Sequence, residues 1–130
     1  MPTFQFNKLV RDNIAEWHRE SGHEPTVTIL QGKDLKAALC DKLHEEADEV
    51  HAAATRDELV EEIADVQQVI DDLLMHNKIS LAELKAVQTK KREKKGGFTK
   101  GIYIENVYMP NDHDKWAAYC RKNPEKYPES

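Results

Sequence analysis

Between Leu35 and Leu73 apolar residues recur twice at helical spacing, and the first of the two seams contains a carboxylate. Leu39, Leu43 and Val50 follow an i, i+4, i+11 pattern, and Leu59, Ile63, Val66, Ile70 and Leu73 form a second stripe. Such stripes belong to helices that pack along one face. With about 100° per residue and Leu39 at zero, Leu43 lies near +40°, Val50 near +20° and Glu46 near −20°. Glu46 therefore occupies a position where the pattern calls for leucine. Glu49 flanks the same seam, about 60° from Glu46, while Glu45 and Asp48 point further outward. On the second stripe, with Leu59 at zero, Glu62 falls near −60° and Asp65 near −120°. Two helices packed along these seams can bring Glu46, Glu49, Glu62 and Asp65 together. Clustered carboxylates repel one another and resist desolvation, and a cation relieves both problems.

Acidic helix faces are usually only solvated. Here one carboxylate stands in a core position, and the acidic pairs repeat on consecutive helices at the same spacing. No lysine lies four residues after Glu49 or Glu62 to form an ion pair along the helix. Hard oxygen donors, with room left for water and phosphate oxygens, are what Mg²⁺ prefers. His44 and His51 lack the paired Glu-x-x-His arrangement of di-iron bundles.

The remaining elements follow from local signals. A helix is expected from Asn7 to Gly22, with Val10, Ile14 and Trp17 on one face and Gly22 as its stop. Thr26 to Leu30 is short and β-branched enough for a strand, and Asp34 is a candidate cap for the next helix. Thr55 with Glu58, and Ser80 with Glu83, have capping-box spacing, and Gly96-Gly97 ends the fourth helix. The stretch around Ile102 to Tyr108 is expected to be a strand paired with Thr26 to Leu30, or an extended arm. A short last helix near Trp116 is followed by a tail expected to fray. The expected fold is all-α, a helical bundle in one domain over residues 1–130. Its helical core covers about 7–98, with a short β-strand pair or a C-terminal arm over 99–130.

With 39% hydrophobic and 33% charged residues, the chain is expected to be a soluble folded protein. A net charge of −5 argues against a nucleic-acid surface. Cys40 and Cys120 are too few for a disulfide framework, and no window approaches a membrane span, so a cytoplasmic protein is expected.

The motif "EEADE", followed by twelve residues and then "EIAD", resembles the Glu-Glu-x-x-Glu and Glu-x-x-Asp signature of the MazG-like all-α nucleoside triphosphate pyrophosphohydrolases. That superfamily includes phosphoribosyl-ATP pyrophosphohydrolase and the dimeric dUTPases. "NKLVRDNI" and "KKREKKGGF" are similar to flanking motifs of a small-protein branch, so the resemblance covers roughly Asn7 to Phe98. It implies Glu46, Glu49, Glu62 and Asp65 as ligands of Mg²⁺, with Mn²⁺ as an alternative. It also implies catalytic roles for Glu45 and Glu46, Glu45 being an accessory ligand or a group that orients water. The implied reaction is hydrolysis of a nucleoside triphosphate to the monophosphate and pyrophosphate, in nucleotide-pool clean-up, by a homodimer or homotetramer. Asn7, Lys8, Arg11, Lys91 and Lys95 are candidates for the nucleotide's phosphates, Lys8 and Arg11 as neighbours on one helix face. Lys95 stands where relatives often carry arginine before Gly-Gly-Phe, so its contact would be a point charge rather than a fork. The alternatives are phosphoribosyl-ATP as substrate, a non-catalytic nucleotide- or metal-binding regulatory module, or a purely structural helical protein.

Overall fold

Good helix formers and well-placed stops divide the chain into five helices, described by a computed structural model over all residues from Met1 to Ser130. These are α1 (Ile14–Glu20), α2 (Gly32–Ala52), α3 (Arg56–His76), α4 (Leu81–Lys95) and α5 (Lys115–Lys122). The fold is all-α, as expected. No strand forms: residues 26–30 and 102–108 have no ladder partner, and the latter run as an irregular arm. The contacts divide the chain into two compact units, Met1–Lys90 and Lys91–Ser130, with the boundary inside α4.

In the first unit, α1 begins at Ile14 rather than near Asn7. Asn7 takes a left-handed backbone conformation (φ 47°), which a helix start cannot contain, so Lys8 and Arg11 lie on the approach to the helix and not on a helical face. The far end closes as expected on Gly22 (φ 81°): its N–H donates to Arg19 O at 3.0 Å, and His23 N–H donates to His18 O at 2.9 Å. This is the reciprocal pair of bonds that seals a helix C-terminus around a left-handed residue.

The centre of the unit is the hairpin of α2 and α3, joined through the short Ala53–Thr55 connection. Asp34 lies inside the first turn of α2, which starts on Gln31 without a side-chain cap. The start of α3 follows the sequence closely. Thr55 Oγ1 accepts from Glu58 N–H at 3.1 Å, and the Glu58 carboxylate accepts from Ala54 N–H at 2.8 Å. Ala54 is the midpoint in sequence of Leu39 and Val69, of Glu46 and Glu62, and of Gly32 and His76. The last pair closes the open end of the hairpin, with His76 Nε2 donating to Gly32 O at 3.1 Å.

Leu39 and Val69 are the buried hydrophobic residues, 5% and 7% exposed. Val69 is not in the stripe expected for α3. That stripe is turned sideways: Leu59 and Ile63 are exposed, while Val66, Ile70 and Leu73 are half-buried. The packing line instead runs through Glu62, Val66, Val69, Leu73 and His76, at coiled-coil spacing. Glu62 lies one heptad before Val69 and about 20° from it around the helix. The composition of α3 misleads because it is apolar on two adjoining faces, and one helix partner covers only one of them.

At its C-terminal end α3 stops on Lys78 in the left-handed region (φ 56°), with Ile79 N–H donating to Leu74 O at 2.9 Å. Ser80 Oγ then accepts from Glu83 N–H at 3.1 Å and starts α4. In the second unit, Asp114 caps α5 by accepting from Trp116 N–H at 2.7 Å. The tail does not fray: it turns at Asn123, sets Tyr127 against Tyr119 (ring centroids 5.9 Å) and pairs Glu129 with Arg121 at 2.6 Å.

Urea denaturation monitored by helicity checks this packing. Leu39→Ala, which opens a cavity in the hairpin, should lower stability by about 2–5 kcal/mol. Lys78→Gly, which relieves a left-handed lysine, should raise it by up to about 1 kcal/mol.

Candidate metal centre

The heptad that buries Leu39 delivers Glu46 to the next layer of α2, and the heptad that buries Val69 delivers Glu62 to the same layer of α3. Glu46 is the only buried charged residue, 8% exposed. Asp65, one turn beyond Glu62, points to the same place. Carboxylate oxygens of Glu46, Glu62 and Asp65 all lie within 4.8 Å of one another. Oxygens bound to one Mg²⁺ at about 2.1 Å stand about 3 Å apart when adjacent and about 4 Å when opposite. The three side chains thus need only a slight closure to share a small divalent ion. They are hard, anionic donors on two helices, and three of them leave positions for water and phosphate.

Glu49 stands exposed outside this tight trio, near enough to act on Glu62. Burial pushes the Glu62 carboxyl above its ordinary value of 4.5, and the charges of Asp65, Glu49, Glu46 and Glu61 push it the same way. Glu45 has the opposite balance. Burial raises its carboxyl, but hydrogen bonds from Lys8 and Lys42 outweigh that effect and hold it below the ordinary value.

Three cations are set on these acids. Lys42 is largely buried (16% exposed side chain) and reaches Glu45 at 3.3 Å and Glu46 at 3.4 Å. Lys8 Nζ lies 3.2 Å from Glu45 Oε1, and Arg11 Nη2 lies 2.6 Å from Asp65 Oδ1. Lys8 and Arg11 therefore reach the acidic layer from outside the hairpin. Lys42 was not anticipated from the sequence. Its signal was its position three and four residues before Glu45 and Glu46, on the N-terminal side of the acids rather than after them. Asn7 is exposed and caps no helix. Lys91 and Lys95 belong to the second unit and stand exposed without an ion pair.

The sequence matches the family model for phosphoribosyl-ATP pyrophosphohydrolase over residues 5–92, a stretch that contains the hairpin, the acidic layer and its three cations. The chain belongs to this family. It is thereby a member of the MazG-like all-α superfamily, in agreement with its helical fold. An uncharacterized protein of Mycolicibacterium smegmatis is 46% identical over 54 residues, which are 42% of this chain and 55% of that protein. The match thus spans about half of the relative's length. No solved structure matches the chain. No helix is long and apolar enough to cross a membrane.

The crowding of Glu62 has a measurable pH signature. Its carboxyl is raised in the folded state, so the native protein binds the extra proton and is penalised once that proton is lost. Glu62→Gln removes the penalty. Without metal, the variant should match wild type below about pH 4.5 and become the more stable as pH rises above that value. Thermal melts across that range give the comparison.

Proposed function

We propose that the chain hydrolyses a nucleoside triphosphate to the monophosphate and pyrophosphate with the help of a divalent cation held by Glu46, Glu62 and Asp65. The observation that carries the proposal is the carboxylate layer built into the hairpin core, inside a chain of the phosphoribosyl-ATP pyrophosphohydrolase family. Mg²⁺ suits the all-oxygen donor set and Mn²⁺ is the alternative; Glu49, exposed and near enough to act on Glu62, would add a further ligand. Bound there, the ion would supply charge neutralisation for the polyphosphate and a more acidic water.

The residues themselves divide the work. Glu46 would hold the ion from the buried side, and Lys42 Nζ, 3.4 Å from its Oε1, offsets its charge. Glu45 stays ionised because two lysines donate to it. A carboxylate held below its ordinary pKa is a weak base, so its role is to orient the attacking water by hydrogen bonding. Lys8 and Arg11, which reach Glu45 and Asp65 from outside the hairpin, would meet phosphate oxygens in this reading, Arg11 with up to two donors.

Phosphoribosyl-ATP is the second substrate reading, favoured by the family description itself. A homodimer or homotetramer is part of the proposal, because Leu59, Val60 and Ile63 expose an apolar face of α3 that water alone would cover. A cytoplasmic setting is consistent with the free thiols of Cys40 and Cys120.

Pyrophosphate release from a panel of ribo- and deoxyribonucleoside triphosphates and phosphoribosyl-ATP, with Mg²⁺, tests the activity. Glu46→Gln and Asp65→Asn should each lower kcat by about 10²-fold or more. If no nucleotide in the panel releases pyrophosphate, the proposed reaction fails for those substrates, and full activity in both variants would remove the assigned ligands. Sedimentation should give a mass at least twice the 15.0 kDa of the chain, and a persistent monomer would contradict the assembly.

A further inference from the structure

Of the three carboxylates that approach one another, only Asp65 is held by a cation from outside the hairpin. Arg11 makes this contact through a single N–H···O bond of 2.6 Å, and no second bond completes the two-pronged pairing that an arginine and a carboxylate can form. The Arg11 side chain is 57% exposed and that of Asp65 is 36% exposed. The guanidinium can therefore swing off Asp65 into solvent without disturbing the Leu39–Val69 layer. Arg11 lies on the approach to α1, where its carbonyl accepts from Ile14 N–H at 3.1 Å, so the freedom to move belongs to its exposed side chain and not to its backbone.

The charge on a guanidinium is permanent under any condition in which a protein is folded. A lysine can yield an acidic site by losing its proton. Arginine can yield it only by moving. Its positive charge and that of an entering divalent ion compete for the same Asp65 carboxylate.

We infer that Arg11 is an exchangeable counter-ion of the acidic layer, occupying Asp65 when no metal is present and released from it when a divalent cation binds. The inference rests on the divalent-cation reading of Glu46, Glu62 and Asp65. Exchange has two consequences of opposite sign. Arg11 weakens metal binding, because the ion must displace it. The displaced guanidinium stands at the edge of the loaded site and strengthens the binding of a polyphosphate. Metal-free, the same residue moderates the repulsion among the three carboxylates and keeps the hairpin closed. Lys42 has no such freedom: its largely buried side chain is tied to the same helix one turn away.

The test is a titration of the full chain with Mn²⁺ by calorimetry, first alone and then, at saturating Mn²⁺, with an α,β-methylene nucleoside triphosphate that cannot be cleaved. Arg11→Gln should bind Mn²⁺ roughly two- to fivefold more tightly than wild type, the range expected for losing one exposed competing ion pair. The same variant should bind the nucleotide about five- to tenfold more weakly. Arg11→Lys, which keeps the charge, should restore most of the wild-type Mn²⁺ affinity. A merely structural Arg11 would weaken both ligands together. Unchanged or weaker Mn²⁺ binding in Arg11→Gln overturns the inference, as does undiminished nucleotide binding. Failure of wild type itself to bind Mn²⁺ removes the metal reading and the exchange with it, and that outcome is distinguished because it does not involve the variant.

Discussion

The mutual repulsion of Glu46 and Glu62 across the α2–α3 hairpin is the constraint to which the rest of the first unit responds. The heptads that bury Leu39 and Val69 also bring these two carboxylates to the same level of the pair. Ordinary hairpin cores fill such a layer with leucine, and burying like charges there is unfavourable without compensation. Compensation comes from three directions. Lys42 neutralises Glu45 and Glu46 from within α2, Lys8 reaches Glu45, and Arg11 reaches Asp65 from the segment before α1. The irregular approach to α1, with Asn7 in the left-handed region, delivers two cations to acids that lie far away in sequence. A helix begun at Asn7 would have turned those side chains to fixed angles on its own surface. The local structure of the N-terminus and the electrostatics of the hairpin are thus one problem with one solution.

The layer was legible in the sequence on the α2 side and only partly on the α3 side. Glu46 interrupts an otherwise apolar stripe, so helical geometry alone places it inward. Glu62 was expected on the flank, because the stripe from Leu59 to Leu73 is longer and more apolar than the line that packs. Periodicity identifies apolar faces without saying which partner covers each of them. When a helix carries two adjoining apolar faces, the one chosen depends on the neighbour. The choice of Val69 over Ile63 puts Glu62 opposite Glu46. Thr55 and Ser80 are legible as caps because each capping bond joins residues only three positions apart, at the start of a strongly helical stretch. The strand expected at residues 26–30 does not form, and of the two readings for residues 102–108 the arm holds and the strand does not, since β-branched composition is only half of a strand and the other half is a ladder partner. Lys42 is less legible, because it precedes Glu45 and Glu46 on α2, whereas the better helical ion pair has the acid before the lysine.

Exposed apolar surface on Leu59, Val60 and Ile63 has the same origin as the misplaced stripe. The face of α3 that does not serve the hairpin remains apolar, and it adjoins the carboxylate layer. In the proposed homodimer or homotetramer, a second copy would cover this face. In the second unit, by contrast, order is local. Asp114 caps α5, and the Tyr119–Tyr127 and Arg121–Glu129 pairs fold the tail back along it.

A crystal structure of the chain grown with Mn²⁺, with data collected at the manganese absorption edge, would show whether the acidic layer holds a divalent ion. An anomalous peak should appear, bounded by oxygens of Glu46, Glu62 and Asp65, with the Arg11 guanidinium withdrawn from Asp65. An acidic layer without a peak, and with Arg11 still paired to Asp65, would contradict the divalent-cation reading.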